Sequence, residues 1–196
     1  MIRTTAMIAV VAGLAACGDE PGDDESLAGG GGGTPALTFD QLVDVDSNLR
    51  AEIGSASVTP EDDIPDSGSS IYRGALTLTL QDGSGDGVIG EAQLNANFGT
   101  NVVTGGADNF FNLDGSATAG SVTISNGVIL PSVGQVNGDI NGTVTFDGTP
   151  LALDTTLSGT ILGNDADYIT GIVSGTAADS STATTVGVQG GLVTER

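Results

Sequence analysis

Most of the chain alternates apolar and polar residues with a period of two. Between Leu76 and Leu80, three leucines point one way and the two threonines between them point the other way. This alternation is typical of a β-strand with one buried face and one solvated face. The pattern recurs along the chain and predicts eight strands, near 71–81, 88–98, 101–111, 115–125, 133–146, 151–162, 168–176 and 184–194.

Short segments rich in Gly, Asn and Asp separate these runs. Pairs such as Asn126-Gly127 and Asp147-Gly148 supply residues that tolerate the positive φ angles of tight hairpin turns. Eight strands joined in sequence by hairpins predict an all-β fold, an antiparallel up-and-down barrel, because closure leaves no unpaired sheet edge. A barrel of this size is either filled by side chains or holds one small ligand.

Two other architectures also produce such an alternation. One is a sandwich of two sheets. The other is a membrane-spanning barrel, which needs aromatic girdles at both interfaces, whereas this chain has only five Phe and two Tyr. We therefore predict a closed barrel that does not cross the membrane.

The N-terminus has the features of a secretion signal. Arg3 is followed by an apolar run, Thr4 to Leu14, that is too short to span a bilayer as a helix. Leu14-Ala15-Ala16-Cys17 resembles a bacterial lipobox, which predicts a signal peptide over residues 1–16 and an acyl chain such as palmitate on Cys17. The alternative is an ordinary signal peptide followed by an incidental cysteine. Gly18 after the cysteine favours anchoring at the outer membrane, on its periplasmic face or at the cell surface.

Four further segments follow the signal. Residues 17–37 are acidic and then glycine-rich, a composition that predicts a flexible tether. Thr38 and Gln41 fit a capping box, and the apolar spacing after them predicts a short amphipathic helix over 38–54. Packing against the following domain is the favoured role of this helix, and the alternatives are that it plugs a barrel end or meets a partner. A loop over 55–70 leads to the barrel, residues 71–196.

Charge and composition exclude several functions. The chain has 25 acidic and only four basic residues, so a nucleic acid is not an expected partner. His, Lys and Trp are absent and the single Cys is assigned to lipid, which removes most nucleophile–base pairs and metal ligands. We predict a protein that is not an enzyme and has no cofactor. Tyr72 and Tyr168 are the remaining candidates for haem ligation, although strand tyrosines more often pack.

One loop has the spacing of a calcium site. Asp82, Ser84 and Asp86 place oxygens at alternate positions, and Gly87 follows at the sixth. The twelfth position, where a bidentate Glu is needed, holds Gln93. A plain hairpin turn is therefore the favoured interpretation.

Several motifs resemble a known family of surface proteins. They are Ile64-Pro65-Asp66-Ser67-Gly68, Ile71-Tyr72-Arg73-Gly74, the segment from Gly90 to Gly99, Val103-Thr104-Gly105, Asn109-Phe110, Asn137-Gly138-Asp139-Ile140-Asn141-Gly142, Leu157-Ser158-Gly159, Gly171-Ile172-Val173-Ser174-Gly175 and the ending Gly190 to Arg196. Over residues 64–196 the chain resembles the barrel domain of transferrin-binding-protein-like surface lipoproteins, a family that includes solute-binding-protein-like members.

The resemblance implies an eight-stranded, lipid-anchored barrel of Gram-negative outer membranes. Transferrin-capture proteins have two lobes, each with a barrel and a handle domain, whereas this chain has room for one barrel, so direct transferrin binding is not expected. The expected function is non-catalytic binding of an unidentified solute or protein partner, linked to nutrient or iron acquisition. The alternative is a structural or shielding surface lipoprotein with a packed barrel and no small ligand, and the interior volume of the barrel distinguishes the two.

Overall fold

The computed structural model describes residues 36–196. It contains one α-helix, two 3₁₀ turns at Glu61–Asp63 and Pro131–Val133, and eight β-strands. The helix is α1 (Phe39–Ile53), and the strands are β1 (Ser69–Leu80), β2 (Gly87–Asn97), β3 (Val102–Asn112), β4 (Gly120–Leu130), β5 (Gln135–Phe146), β6 (Thr149–Leu162), β7 (Tyr168–Asp179) and β8 (Thr184–Glu195). The signal peptide, Cys17 and the tether up to residue 35 lie outside the described residues.

The strands form a closed antiparallel barrel in sequence order. The last strand returns to the first, with β1 and β8 paired from Arg73 opposite Glu195 to Leu80 opposite Val188. Closure gives the backbone groups of both terminal strands hydrogen-bonding partners, which two stacked sheets would not do. The predicted barrel is confirmed.

The two ends of the barrel differ. At the open end lie the four hairpin loops 81–86, 113–119, 147–148 and 180–183. At the strapped end lie the loops 98–101, 131–134 and 163–167, together with the strap, residues 55–68. Val58 of the strap forms an isolated bridge with Leu162, and the Gly68 carbonyl accepts a hydrogen bond of 3.0 Å from the amide of Phe98. The strap thus joins the ends of β6 and β2 before it continues into β1.

Helix α1 lies on the outer wall of the barrel. It begins with the predicted capping box, in which the Thr38 hydroxyl accepts from the Gln41 amide and the Gln41 side chain accepts from the Thr38 amide. Leu42 and Leu49 are buried against Ala75, Ile89 and Val193 of three strands. The helix therefore packs against the barrel and does not plug its end. Among residues 36–196, no helix has the length and apolar character needed to cross a bilayer.

The inward faces of the strands build one hydrophobic core. Leu76, Leu78 and Leu94 are buried as their alternation predicts, and the strap adds Ile64. The Phe110 ring fits into the core because residue 90 is glycine. A Cβ at position 90 would lie only 2.4 Å from that ring. Large side chains thus fill the space that a smaller set would leave as a cavity.

The predicted bounds of the fourth strand and one predicted turn are wrong. We expected a strand over 115–125 that ends in a turn at Asn126-Gly127, but β4 runs from Gly120 to Leu130 through both residues. Its pairing with β5 shifts register between Ser125 and Val128, and Asn126 has a φ of 52° there. A positive φ at Asn-Gly serves a β-bulge as well as a hairpin turn. The chain instead reverses at Pro131–Val133, followed by Gly134 with a φ of 61°.

Candidate interaction surfaces

The barrel interior is filled by side chains. Its core includes Leu76, Leu94, Ile140, Leu157 and Ile169, each at most 2% exposed. Ligand sites normally combine an apolar cavity with a few convergent polar groups. Here the space within the strands is occupied by the protein's own leucine, isoleucine, valine and phenylalanine side chains.

Polar groups that reach the interior are already paired. The Tyr72 hydroxyl donates to the Ala166 carbonyl at 2.6 Å, and the buried hydroxyls of Thr155 and Thr194 donate to the carbonyls of Ile140 and Ile169. Burial raises the pKa of Tyr72 to about 12, so the phenol stays protonated and serves packing. Across residues 36–196, every buried polar side-chain atom has a hydrogen-bond partner. No polar side chain of this region is left free inside the barrel to orient a ligand.

The other tyrosine lies outside the barrel. The Tyr168 hydroxyl donates to the Glu52 carboxylate at 3.3 Å, which links β7 to the last turn of α1. Desolvation and the neighbouring Glu52 charge raise the pKa of Tyr168. The structure therefore places the two haem candidates apart, one in the core and one against the helix.

The open end has a shallow groove of about 230 Å³. Leu80, Phe146 and Leu151 contribute apolar surface to it, and Asp82, Asp86 and Asp179 lie among its lining residues. Because these three apolar residues also belong to the hydrophobic core, the groove lies at the open end of the barrel directly over the packed side chains.

The proposed calcium loop is the β1–β2 hairpin loop at this end. The Asp82 carboxylate accepts from the Ser84 amide at 2.9 Å, and the Ser84 hydroxyl accepts from the Asp86 amide at 3.1 Å. These oxygens thus organise their own turn, as Asp and Ser commonly do. Within residues 36–196, no three His, Cys, Asp or Glu side chains are gathered in the manner of a metal site.

Two other open-end loops have the same hydrogen bond from a serine to an aspartate two residues earlier. Asp114 accepts from the amide and hydroxyl of Ser116, and Asp179 accepts from those of Ser181. Hydrogen bonds from the serine side chain and backbone lower the pKa of Asp114 and Asp179, as those from Ser84 do for Asp82. The open end therefore remains negatively charged at neutral and mildly acidic pH.

The chain joins the barrel wall at a pair of polar side chains on β2 and β3. The Leu37 amide donates to the Glu91 carboxylate at 3.3 Å, and the Leu37 carbonyl accepts from the Asn109 side chain at 2.7 Å. Asn109 has a φ of 50° beside an irregularity in β2–β3 pairing, which turns it toward the incoming chain. Sequence reasoning missed this pair because only the tertiary fold brings positions 37, 91 and 109 together.

An outer groove runs along β6, β7 and β8 near the end of α1. Its volume is about 560 Å³, and it is lined by Arg50, Gly191 and the exposed side chain of Ile172. The Arg50 guanidinium is already bound by Asp46, with nitrogen–oxygen distances of 2.7 and 2.9 Å. The groove thus offers one guanidinium whose charge is already compensated.

Exposed apolar side chains concentrate at the strapped end. Val102 and Val128 face each other across β3 and β4, Leu130 follows on the same face, Val133 lies in the next turn, and Val58 lies on the strap. Their exposed fractions lie between 38% and 53%. We call these five residues the apolar rim. On a surface otherwise rich in Thr, Ser, Asn and Asp, such a group of aliphatic side chains is a candidate interaction site.

Comparison with known proteins finds similarity in structure only. No protein-family model matches the sequence, and no curated protein matches it. A solved double mutant of the vaccine antigen transferrin binding protein B from Haemophilus parasuis Hp5 has 15% identity and a TM-score of 0.47, and the match covers 71% of this chain and 28% of that one. A single mutant of the same antigen has 14% identity and a TM-score of 0.44, with 71% and 29% covered.

The chain therefore spans less than a third of the length of these solved proteins. The likeness to both mutants is one of fold alone.

Proposed function

We propose that this protein is a non-catalytic, lipid-anchored outer-membrane module that binds a protein partner through the outside of its barrel. The packed interior carries this proposal, because side chains occupy the space a small solute would need. Recognition is then left to the loops, the helix and the outer wall. A solute held inside the barrel is accordingly the less favoured form of the expected function.

The anchor part of the proposal rests on Cys17 and its context. A lipid on Cys17, followed by the acidic and glycine-rich residues 18–35, would hold the barrel at the membrane and leave it free to reach a partner. An extended chain spans at most about 3.5 Å per residue. A tether of this length would let the barrel turn either end outward.

The absence of catalysis is supported by chemistry the sequence lacks. With no His and no Lys, acid–base work would fall to carboxylates. Asp82 and Asp114 are exposed and Asp179 is partly exposed, and all three accept hydrogen bonds within their own turns that keep them ionised. A general acid needs the opposite environment, one that raises its pKa.

The alternative is a structural or shielding lipoprotein with no partner. A packed interior is equally expected for such a protein. The apolar rim favours the binding module, because a surface that serves only to shield has no use for aliphatic side chains exposed to water.

Native mass spectrometry of the protein purified from its own membranes tests the proposal. We expect an acyl mass, a co-purifying protein after mild cross-linking, and no retained small molecule. Cys17→Ala should lose the acyl mass while the neighbouring Gly18→Ala keeps it. A stoichiometric small ligand would contradict recognition through the outer wall, and an acylated protein that never carries a partner would support the shielding alternative.

A role in nutrient or iron acquisition is a narrower form of the proposal, and it comes from the family that the motifs resemble. Deletion of the protein should then slow growth under iron limitation more than in iron-replete medium. Equal growth of the deletion strain under both conditions would remove iron from the proposal and leave partner binding to be tested as above.

A further inference from the structure

The bulge in β4 places two of the five residues of the apolar rim on the surface. Before it, Val122 and Ile124 point into the core, while Thr123 and Ser125 point outward. The extra residue in the bulge reverses the alternation, so that beyond it Ile129 is buried and Val128 and Leu130 are outside. Two aliphatic side chains thus reach solvent in a strand whose earlier outward positions are polar.

The remaining rim residues are brought beside this strand end by pairing and by the strap. Val102 pairs with Val128, and Val133 lies in the turn that follows Leu130. Val58 lies over that turn, because a Cβ built on Gly134 would lie 2.8 Å from its methyl carbon. The rim is therefore one surface made of two strand ends, a turn and the strap.

One side of the rim is strongly acidic. The strap's 3₁₀ turn contains Glu61, Asp62 and Asp63, all exposed, and it packs beside the turn Pro131–Val133. None of the described arginines forms an ion pair with this turn: Arg50 binds Asp46 on α1, and Arg196 binds Asp167 in the loop 163–167, which also lies at the strapped end. The rim thus combines an apolar centre with an uncompensated anionic edge.

The rim also faces away from the point where the chain joins the barrel. Leu37 is held by Glu91 and Asn109, and Phe39 contacts Phe111 near the open end, with ring centroids 6.1 Å apart. Helix α1 then leads to the strapped end, where Glu52 meets Tyr168. The start of helix α1 and the apolar rim therefore lie toward opposite ends of the barrel.

We propose that the apolar rim and the Glu61–Asp63 turn form the docking surface for a protein partner whose contact area is aliphatic or aromatic at its centre and bears Lys or Arg at its edge. This inference rests on the proposed function, since it names the surface and the partner chemistry for that binding. Apolar side chains at the centre and charges at the edge match the usual anatomy of a protein interface.

Charge distinguishes this occupant from two others. In a two-fold dimer the rim would face its own copy, and the acidic turns would be brought toward each other. Anionic lipid headgroups would repel the same turn. A basic protein surface is the occupant that the charge of the rim complements.

Site-specific photo-cross-linking in the native cell tests the inference. A benzophenone amino acid replaces Val128 in the rim or, as a control, Ile172, which is 67% exposed on the outer face of β7. We expect one protein adduct from position 128 and none from position 172. Peptide mapping of the adduct should place the cross-link in an apolar segment flanked by Lys or Arg.

Substitutions then separate the apolar and acidic contributions to docking. Leu130→Asp should lower the adduct yield roughly 100-fold, because it places a charge at the apolar centre. The triple change Glu61→Gln, Asp62→Asn and Asp63→Asn should lower it about tenfold at low salt and less at high salt. Ile172→Asp, the matched control, should leave it unchanged, and circular dichroism should show all variants folded.

Each other outcome overturns the inference. An adduct with a second copy of the chain would make the rim a dimer interface, and a lipid adduct would make it a membrane contact. Equal yields at positions 128 and 172, or a partner contact that is acidic, would also reject it. Adducts only at outer positions away from the rim would reject the rim and keep the proposed function, whereas none at any outer position in an acylated protein would reject both.

Discussion

The open and strapped ends of the barrel are built by different interactions. At the open end, Asp82, Asp114 and Asp179 each bond to a serine two residues later, so each turn is closed by its own residues. At the strapped end, Thr59 donates to Gly163 at 2.7 Å and Tyr72 to Ala166 at 2.6 Å, contacts that join distant parts of the chain. The three open-end turns therefore have local hydrogen bonds in addition to long-range ones such as that from Thr118 to the Thr145 carbonyl at 2.8 Å, whereas these strapped-end contacts form only when the barrel closes.

This difference predicts that the stability of the protein depends more on the strapped end. Substitutions there break contacts between distant segments and leave cavities or unpaired groups in a packed region. Equivalent changes at the open end affect solvated turns and a groove that water can fill.

The largest effect is expected for Ile64→Ala. Ile64 is 3% exposed and closes the core beneath the strap, so removing its side chain should lower the free energy of unfolding by about 2–4 kcal/mol. Leu80→Ala at the open-end groove, the matched control, should cost less because water can reach the site. Urea denaturation of both variants measures the difference, and equal losses would show that the ends are equally important.

A smaller effect is expected at alkaline pH. Since burial raises the pKa of Tyr72 to about 12, the folded state favours its protonated form. The contribution of Tyr72 to the free energy of unfolding is fully present below the unfolded tyrosine pKa of about 10. As the pH rises toward 12, the free energy of unfolding should fall by roughly 2 kcal/mol. Chemical denaturation across this pH range should show a steeper loss in the wild type than in Tyr72→Phe, and identical slopes would contradict the assignment.

At neutral pH, Tyr72→Phe should itself cost about 1–2 kcal/mol, because the buried Ala166 carbonyl loses its hydroxyl donor. The matched change at the outer wall is Tyr168→Phe, whose hydroxyl bonds to an exposed carboxylate. We expect that control to shift the thermal midpoint little. A larger shift for Tyr168→Phe would reverse the ranking of core and wall.

The smallest effect belongs to the open-end aspartates. Hydrogen bonds to serine lower the pKa values of Asp82, Asp114 and Asp179, so their stabilising contribution is present above the unfolded aspartate pKa of about 3.9 and is lost as the pH falls through the folded values. The triple Asp→Asn variant keeps oxygen acceptors in the turns and should flatten the acid side of the stability profile. An unchanged acid profile would show that these turns contribute nothing through their charge.

Much of the barrel could be predicted from the sequence because each strand carries its own alternation. The capping box of α1 is likewise determined by two residues three positions apart, Thr38 and Gln41, and the helix forms where the sequence predicts it. The error at Asn126-Gly127 has a physical origin. An Asn-Gly pair allows a positive φ both in a hairpin turn and in a β-bulge, where one extra residue is inserted into a strand. Pairing of β4 with β5 decides between the two.

The candidate surfaces were less accessible to sequence reasoning. Asp82, Ser84 and Asp86 were found because they lie in one loop, which connects β1 and β2 as a hairpin turn. The apolar rim was missed because Val58, Val102 and Val128 are far apart in the chain. The sequence feature that indicates the rim is the run Val128-Ile129-Leu130. In a strand with one buried face, three successive apolar residues cannot all point inward, so at least one of them is exposed.

The sequence by itself determined the local features of this protein: the period of its strands, the acidic character of its turns, the start of its helix and the shortage of catalytic side chains. These follow from neighbouring residues and from composition. Only the tertiary structure decided that the interior is filled, that the strap closes one end, and that a bulge turns Val128 and Leu130 outward beside an acidic turn. Those properties depend on register and on long-range contacts, whose partners are separated by tens of residues and meet only in the closed barrel.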